Sequence, residues 1–65
     1  MLISVNGERR ELDAETLDAA LNALGYGGRK IATAVNGRFV PAPARQATRL
    51  ADGDRVEVVA PMQGG

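Results

Sequence analysis

Thr16-Leu17-Asp18-Ala19-Ala20-Leu21-Asn22-Ala23-Leu24-Gly25 is the stretch that decides the fold, because its apolar residues recur at helical rather than strand spacing. Leu17, Ala20, Leu21 and Leu24 fall at i, i+3, i+4 and i+7, one apolar stripe on a helix of a little over two turns. Thr16 is a good N-cap, with Asp13 as a competing cap. Asp18 puts an anion where the helix dipole favours one, and Gly25 stops the helix at C′. A single stripe needs a single apolar surface to cover it.

On either side of this helix the period changes to two. Leu2-Ile3-Ser4-Val5 is apolar and rich in β-branched residues, Asn6-Gly7 favours a tight hairpin turn, and Arg9 to Leu12 reads as the returning strand. Alternation puts Ile3 and Val5 on one face and Leu2 and Ser4 on the other. After the helix, Tyr26 to Lys30 reads as a loop made pliable by Gly27 and Gly28. Ile31 to Val35 alternates again, Asn36-Gly37 is a second hairpin signal, and Arg38 to Val40 returns as a short strand ended by Pro41 and Pro43. The polar segment Ala42 to Ala51 is expected to be irregular or a short helical turn. Asp52-Gly53-Asp54 is a tight turn that launches the last strand, Arg55 to Ala60. The two Val-Asn-Gly triplets are accounted for by the two hairpins, so no internal repeat is needed. One helix laid across a small mixed sheet of four to five strands is an α+β layer architecture, with the helix on Ile3, Val5, Val56 and Val58.

The expected organisation is a domain over residues 1–60 and a flexible C-terminal tail over residues 61–65. Pro61 fixes its own φ and has no N–H to donate to a ladder, so the last strand should end there. Met62 and Gln63 lead to Gly64 and Gly65, which have no side chains to crowd the final carbonyl. Five extended residues reach about 17 Å, enough to enter a partner's buried site while the folded body stays outside. A frayed, inert end is the competing reading of the two glycines taken alone.

Composition removes most other chemistry. The chain has 65 residues, room for one small domain with little space for a cleft. Eight basic residues balance eight acidic ones, and the seven arginines are scattered along the chain, so there is no nucleic-acid footprint. The arginines are read as solvated surface, one or two of them meeting acidic partner patches. No apolar run approaches the length of a membrane span, and the expected location is the cytoplasm. Cysteine and histidine are both absent, which removes disulfides, thiolate nucleophiles, imidazole bases and most zinc sites. Asp52 and Asp54 lack a third ligand in the sequence and are rejected as a metal site. No bound cofactor is expected, and any chemistry is borrowed from a partner.

The whole chain resembles a known family. The helix ending Leu24-Gly25-Tyr26, the segment Ala34-Val35-Asn36-Gly37-Arg38-Phe39-Val40-Pro41, the turn Asp52-Gly53-Asp54-Arg55-Val56-Glu57 and the ending Ala60-Pro61-Met62-Gln63-Gly64-Gly65 are similar to the thiamine-biosynthesis sulfur carriers of the ThiS family. The resemblance implies a ubiquitin-like β-grasp fold, in agreement with the element order above. It further implies a carrier that is not itself an enzyme. An adenylating enzyme of the ubiquitin-activating type, using ATP, would activate the terminal carboxylate; a sulfur donor such as a cysteine desulfurase would convert it to a thiocarboxylate; and thiazole synthase would take the sulfur. Gly65 matches the residue that carries the sulfur, and Gly64, Gln63, Met62 and Pro61 match the tail that partners recognise. A free α-carboxylate is an anion at neutral pH and resists nucleophilic attack, so activation as a mixed anhydride with phosphate makes chemical sense.

Three other functions share part of this pattern. A molybdopterin-pathway sulfur carrier has the same fold and tail, although the shorter chain and the Met62-Gln63 ending favour the thiamine type. A ubiquitin-like protein modifier would join its tail to lysines, and a plain β-grasp binding module would leave the tail inert. For docking, the alternation leaves Leu2 and Val59 pointing away from the helix, and in the resembled fold the first and last strands are neighbours. Leu2 and Val59 are therefore expected to meet on the helix-free face, with Phe39 beside them, as the surface that partners cover. On its own the chain is expected to be a monomer.

Overall fold

The computed structural model describes residues 1–61. Its elements are β1 (Leu2–Val5), β2 (Glu8–Glu11), α1 (Leu17–Ala23), β3 (Ala32–Val35), β4 (Arg38–Val40), a 3-10 helix (Ala42–Ala47) and β5 (Arg55–Val59). They form one five-stranded sheet in the order β2-β1-β5-β3-β4. β1 and β5 run parallel and every other pairing is antiparallel, so the last strand lies at the centre. This is the β-grasp arrangement expected from the element order.

Both hairpins are made by the turn chemistry read in the sequence. Asn6 and Asn36 each have φ of 52°, followed by Gly7 and Gly37 at 85° and 83°. Two successive positive φ values are what a type I′ turn requires, and its twist matches the flanking strands. A two-residue turn forces Val5 to face Glu8, so β2 begins one residue earlier than expected and stops at Glu11. Leu12 still donates its N–H to the Met1 carbonyl at 2.9 Å but lies beyond the ladder.

α1 is capped as its sequence suggests. The Thr16 hydroxyl accepts from the Ala19 N–H at 3.2 Å, so Thr16 rather than Asp13 is the N-cap. At the other end Gly25, at φ 91°, lets its own N–H reach the Asn22 carbonyl and the Tyr26 N–H reach the Leu21 carbonyl. These are the two bonds of a Schellman motif, and they satisfy carbonyls the helix would otherwise leave open. At seven residues the helix is shorter than the apolar stripe, because Leu24 serves as its C-cap.

Leu17 and Leu21 of α1 pack on Ile3, Val5, Val56 and Val58, and Val40 of β4 completes the buried cluster. Burying such side chains contributes about 1.5–3 kcal/mol each before the cost of ordering the chain. Of the two forms expected for the connector before β5, the helical one is found. Pro43 occupies an early position where its missing N–H is harmless, and Ala42–Ala47 winds as a 3-10 helix closed by the Thr48 hydroxyl donating to the Ala44 carbonyl at 2.8 Å. Ala44 and Leu50 rest against the core from this segment.

Candidate functional site

β5 carries the site because it leads out of the sheet toward the tail. Arg55, Glu57 and Val59 are exposed while Val56 and Val58 are buried, so the strand is anchored by every second residue. It ends at Val59, one residue before the expected Ala60, because its partner β3 begins at Ala32 opposite Val59. Ala60 and Pro61 are exposed. Met62, Gln63, Gly64 and Gly65, four of the residues singled out for the tail, lie outside the described residues.

At its start β5 is held closely. The Asp52 carboxylate accepts the Leu2 N–H at 2.7 Å, and Gly53 donates to the Leu2 carbonyl at 2.8 Å. Asp54 accepts from the Ala51 N–H at 2.8 Å and from the Asn36 side-chain amide at 3.0 Å. Asp52 and Asp54, rejected above as a metal site, are both engaged in holding the turn. Arg55 in turn donates its N–H to the Asn36 side-chain oxygen at 2.9 Å.

At its end β5 is held differently. Val58 donates its N–H to the Asn6 side-chain oxygen at 2.8 Å, and its carbonyl accepts from the Asn6 side-chain nitrogen at 3.1 Å. The role of this side chain was not legible in the sequence, where Asn6 reads as a turn residue only.

Among the described residues the exposed large apolar side chains are Leu2, Phe39 and Val59, each out of phase with the buried residues beside it and so on the face of the sheet away from α1. Their expected gathering is corrected by the strand register. Ser4 pairs with Arg55 and Val5 with Val56 in the parallel ladder, which sets Leu2 level with Gly53, six residues before Val59. Six residues of strand separate the two by roughly 20 Å. Leu2 therefore sits by the Asp52–Asp54 turn, at the opposite end of the sheet from the tail. Phe39 does share a neighbourhood with Val59. Ala34 lies between Phe39 and Glu57, and Ala32 lies beside Val59, so two alanines floor the gap between the larger side chains. At 70% and 63% exposure, Phe39 and Val59 are the most solvent-accessible large apolar residues of the described chain.

One arginine departs from the expected solvated role. Arg45, on the 3-10 helix, donates from Nε to the Thr33 hydroxyl at 3.1 Å and from Nη2 to the Ile31 carbonyl at 2.7 Å. Thr33 is buried and its hydroxyl donates a hydrogen bond to the Val40 carbonyl at 2.8 Å. Arg45 therefore ties the connector to β3 and is structural. Among the described residues no helix is long and apolar enough to cross a membrane.

One helix across a five-stranded sheet, with the strand nearest the C-terminus at its centre and paired in parallel with β1, defines the class as a small β-grasp domain. Comparison with known proteins makes this specific. The ThiS family profile matches residues 3–65, and the chain belongs to the ThiS family of thiamine-biosynthesis sulfur carriers. The crystal structure of a thiamine biosynthesis protein (ThiS) from Geobacter metallireducens superposes with a TM-score of 0.78 at 35% identity, covering all of both chains. A solution structure of a thiamine biosynthesis protein from the same organism gives 0.78 at 33% identity, covering all of this chain and 88% of the other. A thiazole synthase from Paramagnetospirillum magneticum is 38% identical over 66 residues. That match takes in the whole of this chain but only 20% of the synthase, so the chain spans about a fifth of that relative's length.

Proposed function

We propose that this protein carries sulfur as a thiocarboxylate on Gly65 for formation of the thiamine thiazole ring. The observation that carries the reading is the family match, which continues through the described domain to residue 65. In the reaction the Gly65 carboxylate oxygen attacks the α-phosphorus of ATP on an adenylating partner, and pyrophosphate leaves. The outer sulfur of a persulfide, supplied by a donor such as a cysteine desulfurase, then adds to the acyl carbon, AMP departs with the oxygen, and a thiol reduces the resulting acyl disulfide, releasing the thiocarboxylate and leaving the thiol's sulfur in a disulfide with the donor. Thiazole synthase is the acceptor of that sulfur. The likeness to a much longer thiazole synthase supports this choice of pathway over molybdopterin synthesis.

Each part of the chain has a role in this scheme. Residues 1–60 are the body, and Pro61, Met62, Gln63 and Gly64 are the segment that partners recognise on the way to Gly65. Phe39 and Val59 supply the apolar surface nearest the exit of β5. Leu2 is a separate contact at the far end of the same face. ATP belongs to the activating partner rather than to the carrier.

The test is the intact mass of the protein after incubation with the adenylating enzyme, ATP and a sulfur donor. The expected result is replacement of one oxygen by one sulfur. Removing Gly65, or adding one residue after it, abolishes the gain while the domain stays folded. An extended carrier that still gained sulfur would show that the terminal carboxylate is not the reacting group.

A further inference from the structure

The parallel ladder between β1 and β5 stops short of the end of β5. Val5, the last residue of β1, lies opposite Val56, and the Asn6 N–H donates to the Val56 carbonyl at 2.9 Å. Beyond that point the chain of β1 turns away through Gly7. The backbone of Val58 faces the side β1 has vacated, since residues two apart on a strand present their hydrogen-bonding groups in the same direction. The side-chain amide of Asn6 fills that place with one acceptor and one donor, at 2.8 and 3.1 Å, as a peptide group of a longer β1 would. Without it, β5 past Val56 is paired from the β3 side alone, through Glu57 and Val59.

We propose that Asn6 is a positioning residue for sulfur transfer: its amide clamps Val58 and so fixes the point from which the tail departs. The inference rests on the reading of Gly65 as the reacting group. Holding Val58 in place leaves a partner less of the backbone of β5 to order when it binds the chain that follows. Loss of the clamp should therefore raise KM for the carrier and leave kcat nearly unchanged, because the bound, reacting geometry is the partner's.

The second hairpin supplies the control. Asn36 has the same φ of 52° in the same kind of turn, but its side chain binds Asp54 and Arg55 at the start of β5. Asn6→Gly and Asn36→Gly both keep a residue at ease with positive φ and delete only the amide. The assay is pyrophosphate release by the recombinant adenylating enzyme with ATP, at a temperature where both variants are folded, with amide hydrogen exchange followed in parallel. Asn6→Gly should speed exchange at the Val58 amide and raise KM, each by about two- to tenfold, the factor expected for one net hydrogen bond. Asn36→Gly should leave both at the wild-type value. Unchanged KM in Asn6→Gly, or an equal rise in both variants, overturns the proposal. Should Asn6→Gly not fold, Asn6→Asp keeps the turn and the bond from the Val58 N–H while setting an anionic oxygen against the Val58 carbonyl, and it is judged by KM alone, an unchanged KM overturning the proposal. A wild-type carrier that is never adenylated defeats the Gly65 reading itself, which separates that failure from failure of the clamp.

Discussion

The two ends of β5 are built to different standards. At the start, two aspartates, a glycine turn and the Asn36 amide make a lattice of hydrogen bonds around residues 51–55. At the exit, one asparagine side chain and one cross-strand pairing hold the strand before Ala60 and Pro61. Both ends share the same buried alternation, so the difference lies in the polar connections and not in the core. It shows that one strand can be tied by several polar connections at its start and by a single side-chain amide at its end.

The largest effect should come from breaking what both ends share. Val56 is 2% exposed in the centre of the core. Val56→Ala should cost about 2 kcal/mol or more and lower the melting temperature by roughly 10 °C, read by thermal denaturation. Asp54→Ala tests the entry alone. Losing the carboxylate that holds Ala51 and Asn36 should cost about 1 kcal/mol, and faster amide exchange should be confined to residues 51–55. Exchange spreading instead to Val58 would show that the two ends are not independent.

Val59→Asp sharpens the contrast at the exit. Being exposed, Val59 should accept the change within about 0.5 kcal/mol of stability. Affinity for the adenylating enzyme should nonetheless fall, because the new charge would be desolvated in the interface. Titration calorimetry against melting temperature checks both halves of that statement, and an unfolded variant would contradict the exposure of this position.

The smallest effect concerns the α-amino group near the entry. The Glu11 carboxylate, 3.0 Å away, raises its pKa above the ordinary 8.0 through their hydrogen bond, against a lesser opposing effect of desolvation. An amine with a raised folded pKa adds stability that is full below its unfolded pKa and lost as pH rises through the folded one. Wild-type stability should therefore decline slightly above pH 8.0, and Glu11→Gln should flatten that part of the curve in denaturant titrations.

Much of this molecule was legible in its sequence, for reasons particular residues make plain. Asn-Gly demands positive φ, and two such pairs placed both hairpins. The Leu17 to Leu24 stripe placed the helix, and alternation assigned faces to Ile3, Val5, Val56 and Val58. Alternation has a period of two, however, and is silent about sliding along a strand. The separation of Leu2 from Val59 is set by the Ser4–Arg55 pairing, which depends on two segments about fifty residues apart. Arg45 and Asn6 escaped for a related reason. Each makes its bonds across the fold, to Thr33 and Ile31 in one case and to Val58 in the other, and nothing adjacent in sequence marks them.

The central place of β5 also governs how the protein comes to be made. Of the described strands a ribosome delivers β1 before the others, yet its parallel neighbour is β5, the one delivered after all of them. Until Arg55 to Val59 have been added, β1 and β3 each present an unpaired edge and α1 has only part of the surface it covers. Contacts that span so much of the sequence slow folding, since a long loop must close before the pairing is rewarded. The nascent domain therefore cannot close strand by strand as it emerges, and its sheet is sealed only in chains translated through Val59.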